Sequence, residues 1–213
     1  MLLSHNHYDH LDKNAVRALA QKTREFLVPL GVDKNLVEWG VSVENIQTFD
    51  WWQSTLDTHA RLTFTPTQHF SGRGLGDANE TLWGSWVIET EKGKLFFSGD
   101  SGYFSGFKTI GEKFGPFDLT FIETGAYNED WPDVHMTPEQ SVAAHKDLRG
   151  KIMMPIHNGT FNLAFHAWYE PLERVSEAAQ RQGVELTTPI VGEVITLGEP
   201  MPNNAWWKEV MAD

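Results

Sequence analysis

Within six residues, His5-Asn6-His7-Tyr8-Asp9-His10 gathers three imidazoles and a carboxylate. Neutral imidazole and carboxylate are the usual ligands of zinc and related divalent ions. On an extended backbone, side chains two positions apart share a face, so His5 and His7 can grip one ion. The stretch lies directly after Leu2-Leu3 and directly before a helical pattern. Where the chain turns into that helix, Asp9 and His10 can serve a second ion. The bland alternative is a solvated histidine-rich loop, which has no need of a strand on one side and a helix on the other.

One motif supplies too few ligands for two ions, so the reading requires others downstream. His69 follows Thr65-Pro66-Thr67-Gln68, and His157 follows Met153-Met154-Pro155-Ile156. Asp100 ends the run Leu95-Phe96-Phe97-Ser98-Gly99, where a carboxylate can bridge two ions. Each stands where a strand pattern runs out into a loop, the expected place for site residues on a rigid sheet. Taken singly, His69 or His157 reads as a structural or surface histidine. Beside the first motif, both read as ligands.

The elements that must hold these residues alternate between strand and helix patterns. Asp12 can cap a helix whose stripe is Val16, Leu19, Ala20, Thr23, Phe26 and Leu27, ended by Pro29 and Gly31. Strands are expected at 61–66, in a hairpin of 82–90 and 94–98 turning at Glu91-Lys92-Gly93, at 119–123, at 152–156 and at 193–197. Helices are expected at 107–114, from the Thr137-Pro138-Glu139-Gln140 capping box onward, and at 170–182 before Gly183. Residues 1–198 read as one domain and 199–213 as an irregular tail. Such alternation implies a layered α/β arrangement without saying which one.

Composition removes several classes of function. The formal net charge is −12 and no Lys/Arg cluster interrupts it, so a nucleic-acid backbone is repelled and no nucleic-acid partner is expected. Bound divalent cations would still reverse that field locally. There is no cysteine, which excludes disulfides, thiolate metal sites and cysteine nucleophiles. No apolar run approaches the ~20 residues that span a bilayer, and no signal-peptide pattern opens the chain. A cytoplasmic protein, with peripheral membrane contact open, is the resulting expectation. Nine tryptophans and thirteen phenylalanines read chiefly as core, with an apolar substrate groove or membrane surface as the other use.

His-x-His-x-Asp-His, followed by single His, Asp and His at strand ends, resembles the metallo-β-lactamase superfamily. The resemblance implies an αββα sandwich with two metals at the mouth between its sheets. It implies that His5, His7 and His69 hold one metal, that Asp9, His10 and His157 hold the other, and that Asp100 bridges. Ser4–Leu11, Asp50-Trp51-Trp52, Thr65–His69, Leu82–Trp86, Gly111–Leu119, Gly125-Ala126-Tyr127, His135–Glu139 and His157–Phe161 look like one branch of it, nearly to Gly198. That branch contains N-acyl-phosphatidylethanolamine-hydrolysing phospholipase D. It implies that His135 helps position substrate or leaving group, which with Asp9 makes the catalytic pair. Asn158 departs from the branch, where relatives often carry Trp, and this bears on the shape of the pocket wall.

The implied chemistry is phosphodiester hydrolysis by a metal-bridging hydroxide, with zinc the default and iron or manganese also fitting. The substrate is a phospholipid or another small molecule. The alternatives are a sugar-phosphate lactonase of the same fold and a truncated metal-binding protein without turnover. Family members carry a long N-terminal segment before this motif, whereas Met1 stands three residues before Ser4. A sandwich missing much of its first sheet is therefore expected, with poor solubility or a compensating homo-oligomer. Gly99-Asp100-Ser101-Gly102 imitates a serine-protease loop without the context such a loop needs. His59, His145 and His166 are expected to be surface or packing histidines.

Overall fold

Asp12 caps the first helix as expected: its Oδ1 accepts the Ala15 N–H at 2.6 Å, and α1 runs Lys13–Leu19. The helix is shorter than the apolar stripe predicts. After a 3-10 turn at Ala20–Lys22, Phe26–Pro29 forms strand β1 and not the helix's last turns. All four residues of β1 are buried, and a short apolar run buried on both faces suits a parallel strand as well as a helix. The computed structural model describes residues 1–211.

Helix α2 (Asp33–Glu38) leads to β2 (Ile46–Phe49), which pairs in parallel with β1, Phe26 facing Ile46 and Pro29 facing Phe49. On the other side of β1, Leu2 bridges Leu27 in parallel, and the Leu27 N–H donates to the Met1 carbonyl. The first sheet is thus small. The second is much larger. It contains β3 (Ser54–Leu56), β4 (Ala60–Thr65), β5 (Ser85–Thr90) and β6 (Gly93–Phe97) as an antiparallel run. Helix α3 (Gly106–Phe114) then crosses to β7 (Phe117–Glu123), α4 (Pro138–Asp147) to β8 (Gly150–Ile156), and α5 (Glu170–Gln182) to β9 (Glu185–Leu186). The last three strands join β6 in parallel, giving seven strands in sequence order.

Burial sorts these elements into four layers. In β1, Phe26 and Val28 face Val16, Leu36 and Trp39 of the α1–α2 layer, while Leu27 faces Phe64 and Trp86 of the large sheet. The period of two along a strand makes that division automatic. On the far face, Val87, Phe96, Ile122 and Met153 pack against Phe107, Ile110, Val142 and Val175 of the three crossover helices. The result is an αββα sandwich. Two bonds tie the sheets where the histidine motif starts: Trp86 Nε1 donates to the Leu3 carbonyl at 2.8 Å, and Gly84 N to the Ser4 carbonyl at 2.9 Å.

Two other expectations change. Residues 193–197 form no strand and are mostly exposed, with Val194 wholly at the surface, so an apolar alternation without a neighbouring strand did not suffice. The segment expected to be an irregular tail is pinned to the body. Thr188 bridges Asn203, and α6 (Trp207–Val210) buries Trp207 against α5, where its Nε1 bonds to Glu173.

Candidate metal centre

The large sheet's parallel strands all end at one edge, and the small sheet delivers the first motif to the same place. His5 follows Leu3 out of the sheet contact. The chain then closes a tight turn in which His10 N and Leu11 N both donate to the His7 carbonyl, immediately before Asp12. His69 lies beyond β4, Asp100 beyond β6, and His157 directly beyond β8. Gly99 has φ +59°, and its Cα stands so close to Ser4 and the Gly84 carbonyl that a side chain would collide with both. Glycine is required there for the turn that aims Asp100 inward.

All seven residues expected as ligands converge. His5, His7, His69 and Asp100 form one group, and Asp9, His10, Asp100 and His157 a second; within each, one nitrogen or oxygen per residue lies within 4.8 Å of the others. Asp100 belongs to both. Its Oδ2 stands 3.0 Å from His10 Nε2, 3.5 Å from His157 Nε2, 3.7 Å from His69 Nε2 and 3.8 Å from His5 Nε2. Asp9 Oδ2 stands 3.2 Å from His157 Nε2 and 3.4 Å from His10 Nε2.

The donor set fits cations. His69 Nδ1 donates to the Val134 carbonyl at 3.0 Å, and His5 Nδ1 faces Ser4 Oγ at 3.0 Å. With those nitrogens protonated, both Nε2 atoms carry lone pairs, and both aim at His7 Nδ1, 3.3 and 2.9 Å away. A single proton on His7 cannot satisfy both. Asp100 Oδ1 is buried with no hydrogen-bond partner. Converging lone pairs and an orphaned carboxylate oxygen are what a cation would resolve.

The electrostatics differ between the groups. Burial pushes His5 well below its ordinary value, lowers His7, and takes His69 down to about 3, so all three are neutral imidazoles. For His10, burial works the same way, but hydrogen bonds to Asp100 and Asp9 outweigh it and lift it to about 10. His157 is likewise opposed by burial yet raised by Asp9 and Asp100. Burial would raise Asp9 and Asp100, and their histidine partners hold both well below the usual carboxylate range.

A cleft of about 340 Å³ opens over the ligands, walled by Phe70, Trp131, Val134, His135 and Leu163. His135, expected beside the metals, is there: its ring lies 5.2 Å from that of His69 and 5.6 Å from that of His157. A second cavity of about 360 Å³ shares Ala126, His157 and Leu163 and continues past Phe161 to Trp168. Asn158, where a tryptophan was the alternative, lines this one.

Of the other histidines, His59 is exposed. His145 is buried away from the cleft and bonded to Thr120 Oγ1 at 2.8 Å, a partner that the sequence did not reveal. His166 stacks on Tyr127 at 4.2 Å and donates through Nε2 to the Gly125 carbonyl, which is packing at the edge of the second cavity. Sequence reasoning missed Glu123, the last residue of β7, which is 0% exposed and accepts from His135 Nδ1 at 2.8 Å.

Comparison with known proteins adds to this geometry. The family described as "Beta-lactamase superfamily domain" matches residues 1–158. "Uncharacterized protein Rv0906" of Mycobacterium tuberculosis is 43% identical over 212 residues, covering 98% of this chain and 57% of that protein. "N-acyl-phosphatidylethanolamine-hydrolyzing phospholipase D 1" of Caenorhabditis elegans is 35% identical over 189 residues, covering 83% of this chain and 53% of that protein. The chain therefore spans just over half the length of these relatives. Among solved structures, Igni18, a metallo hydrolase from Ignicoccus hospitalis, superposes with a TM-score of 0.71 at 18% identity, over 91% of this chain and 77% of that one. At that identity the likeness concerns the fold.

Proposed function

The chain belongs to the beta-lactamase superfamily, and on that footing we propose that it is a metal-dependent hydrolase of phosphodiesters, with an N-acyl-phosphatidylethanolamine-like phospholipid as substrate. The observation that carries the reading is Asp100 Oδ2, standing 3.0 to 3.8 Å from nitrogens of both ligand groups. His5, His7 and His69 would hold one cation and Asp9, His10 and His157 a second, with Asp100 shared. Two divalent cations, zinc by default, would acidify water near neutral pH and offset the charge that grows on oxygen in the transition state.

The protein's own groups do the rest. Asp9 and Asp100 supply carboxylate oxygens that orient a water proton away from the phosphorus. His135, with its Nδ1–H committed to Glu123, keeps the Nε2 lone pair for the cleft, where it can take the attacking water's proton and pass it to the departing oxygen. The new bond is water oxygen to phosphorus, and the broken one is phosphorus to the headgroup oxygen, which leaves with a proton. For the lipid case the products are a phosphatidic acid and an N-acylethanolamine.

The lipid assignment draws support from the similarity to the C. elegans phospholipase D and from the apolar rim. Phe161, Leu163, Phe165 and Trp168 are exposed around the cavities, a composition suited to acyl chains and to contact with a lipid surface. No helix among the described residues is long and apolar enough to cross a membrane. A nucleic-acid diester is disfavoured by the net charge of −12.

The test compares zinc-loaded protein on N-acyl-phosphatidylethanolamine in mixed micelles with its action on a short soluble diester. Chelator-sensitive release of phosphatidic acid is expected, with a ~10²-fold or greater loss in His135→Ala. Faster cleavage of the soluble diester would remove the lipid from the reading. No chelator-sensitive cleavage of either would sink the hydrolase itself.

A further inference from the structure

Each ligand histidine has a second ring nitrogen that does not face the centre, and its partner sets which nitrogen carries the proton. His5 Nδ1 has Ser4 Oγ, and His69 Nδ1 has the Val134 carbonyl. Unlike those two, His157 has an Nδ1 that is buried with no hydrogen-bond partner. Glu123 Oε1 lies 3.9 Å from that orphan nitrogen, about 1 Å beyond hydrogen-bond distance. The same Oε1 already accepts from His135 Nδ1 at 2.8 Å, while Oε2 accepts the Met136 N–H at 3.1 Å. The His135 and His157 rings are nearly parallel, 8° apart, so both present Nδ1 to one carboxylate.

Glu123 itself is rigidly placed. It ends β7 in register with Ile156, the residue before His157. Its N–H donates to Ser98 Oγ at 2.9 Å, and its carbonyl accepts from Ser141 Oγ at 2.7 Å. A fully buried carboxylate is costly unless its oxygens meet donors; this one meets two, with the His157 nitrogen 3.9 Å away as a third.

We infer that Glu123 is a positioning residue that fixes the Nδ1–H tautomer of both His135 and His157, tying the substrate-side histidine to a ligand of the second cation site. The inference rests on the reading of this centre as a metal site. Through Glu123, His157 keeps its Nε2 lone pair for a cation and His135 keeps its Nε2 for the cleft. One carboxylate thereby couples metal loading to the orientation of the group that meets substrate. Glutamine cannot substitute. It offers one acceptor oxygen where the carboxylate offers two, and its amide N–H groups must oppose either the ring nitrogens or the Met136 N–H, so the arrangement cannot be kept whole.

The first experiment needs no variant: long-range ¹H–¹⁵N spectra of the zinc-loaded protein. Both rings are expected as Nδ1–H, and an Nε2–H signature at either would overturn the inference. The second measures zinc affinity by chelator competition in the wild type and in Glu123→Gln. The weaker-held of two ions should lose affinity by about 10–100-fold while the other is unchanged. Equal affinities in the two proteins would overturn it, as would parallel weakening of both ions, which marks a general structural role. Loss of a third equivalent of zinc would also overturn it, showing that Glu123, His135 and His157 hold a cation directly. Neither readout uses turnover. A protein with these tautomers but no phosphodiester cleavage would therefore end the proposed reaction and leave Glu123 in its role.

Discussion

The two halves of the centre reach the same geometry by opposite electrostatic routes. His5, His7 and His69 are held neutral by burial, a nest of lone pairs with no proton to displace. Asp9, His10 and His157 form an ionic cluster, in which the carboxylates raise both imidazoles. Asp100 takes part in both, and it is the more enclosed of the two ligand carboxylates, 3% exposed against 22% for Asp9. The first half is thus preformed and apolar in character. The second is open and charged.

Removing what the halves share should have the largest effect. Asp100→Asn keeps the shape but takes the bridging charge, and metal content should fall from about two ions to fewer than one. Turnover should drop by ~10³-fold or more, several kcal/mol of barrier. Retention of both ions, by elemental analysis, would dissolve the notion of a shared carboxylate. A smaller and one-sided effect is expected from Asp9→Ala, which should cost one ion and leave the other held by imidazoles. Loss of both ions together in that variant would mean that the halves are not separable.

A histidine outside the cleft sharpens the contrast between buried neutral and ion-paired imidazoles. His145 is buried without a carboxylate, and desolvation takes it down to about 4 from 6.5. The unfolded chain therefore binds a proton that the folded one refuses, so stability is full above pH 6.5 and declines as pH falls toward 4. Between pH 7.5 and pH 5 the loss should be ~2 kcal/mol. Urea unfolding of chelated protein can read it as the gap between wild type and His145→Gln, which should shift by that amount with pH. A gap that stays constant would show that His145 accepts its proton in the folded state.

Local chemistry was legible in the sequence, and placement by the sheet less so. His5 through His10 announce themselves because the ligands are consecutive and the helix cap at Asp12 follows. His69, Asp100 and His157 could be read from strand ends once a second group of ligands was required. Glu123 was passed over because it closes an apolar strand and nothing in the spacing ties it to His135, twelve residues on. The signal existed: β6, β7 and β8 are parallel, so Asp100, Glu123 and His157 arrive at one edge, where sites in such sheets gather. Phe26–Leu27 were assigned to the helix because a continuous apolar run carries no period of its own. Partner strands, which the sequence cannot display, made the difference there and at 193–197.

The two bonds that Trp86 and Gly84 send to Leu3 and Ser4 place the first ligands on one sheet while His69, Asp100 and His157 hang from the other. A cation in the first group would therefore rivet the sandwich by closing the chain from His5 to Asp100, and one in the second by closing it from Asp9 to His157, loops that no disulfide in a cysteine-free chain can close. At a free metal concentration a thousandfold above the dissociation constant, such a rivet adds ~4 kcal/mol to the folded state. Chelation and delamination of the sheets would then be two descriptions of one event, and the centre would serve as the fastener of the molecule as well as its reactive end.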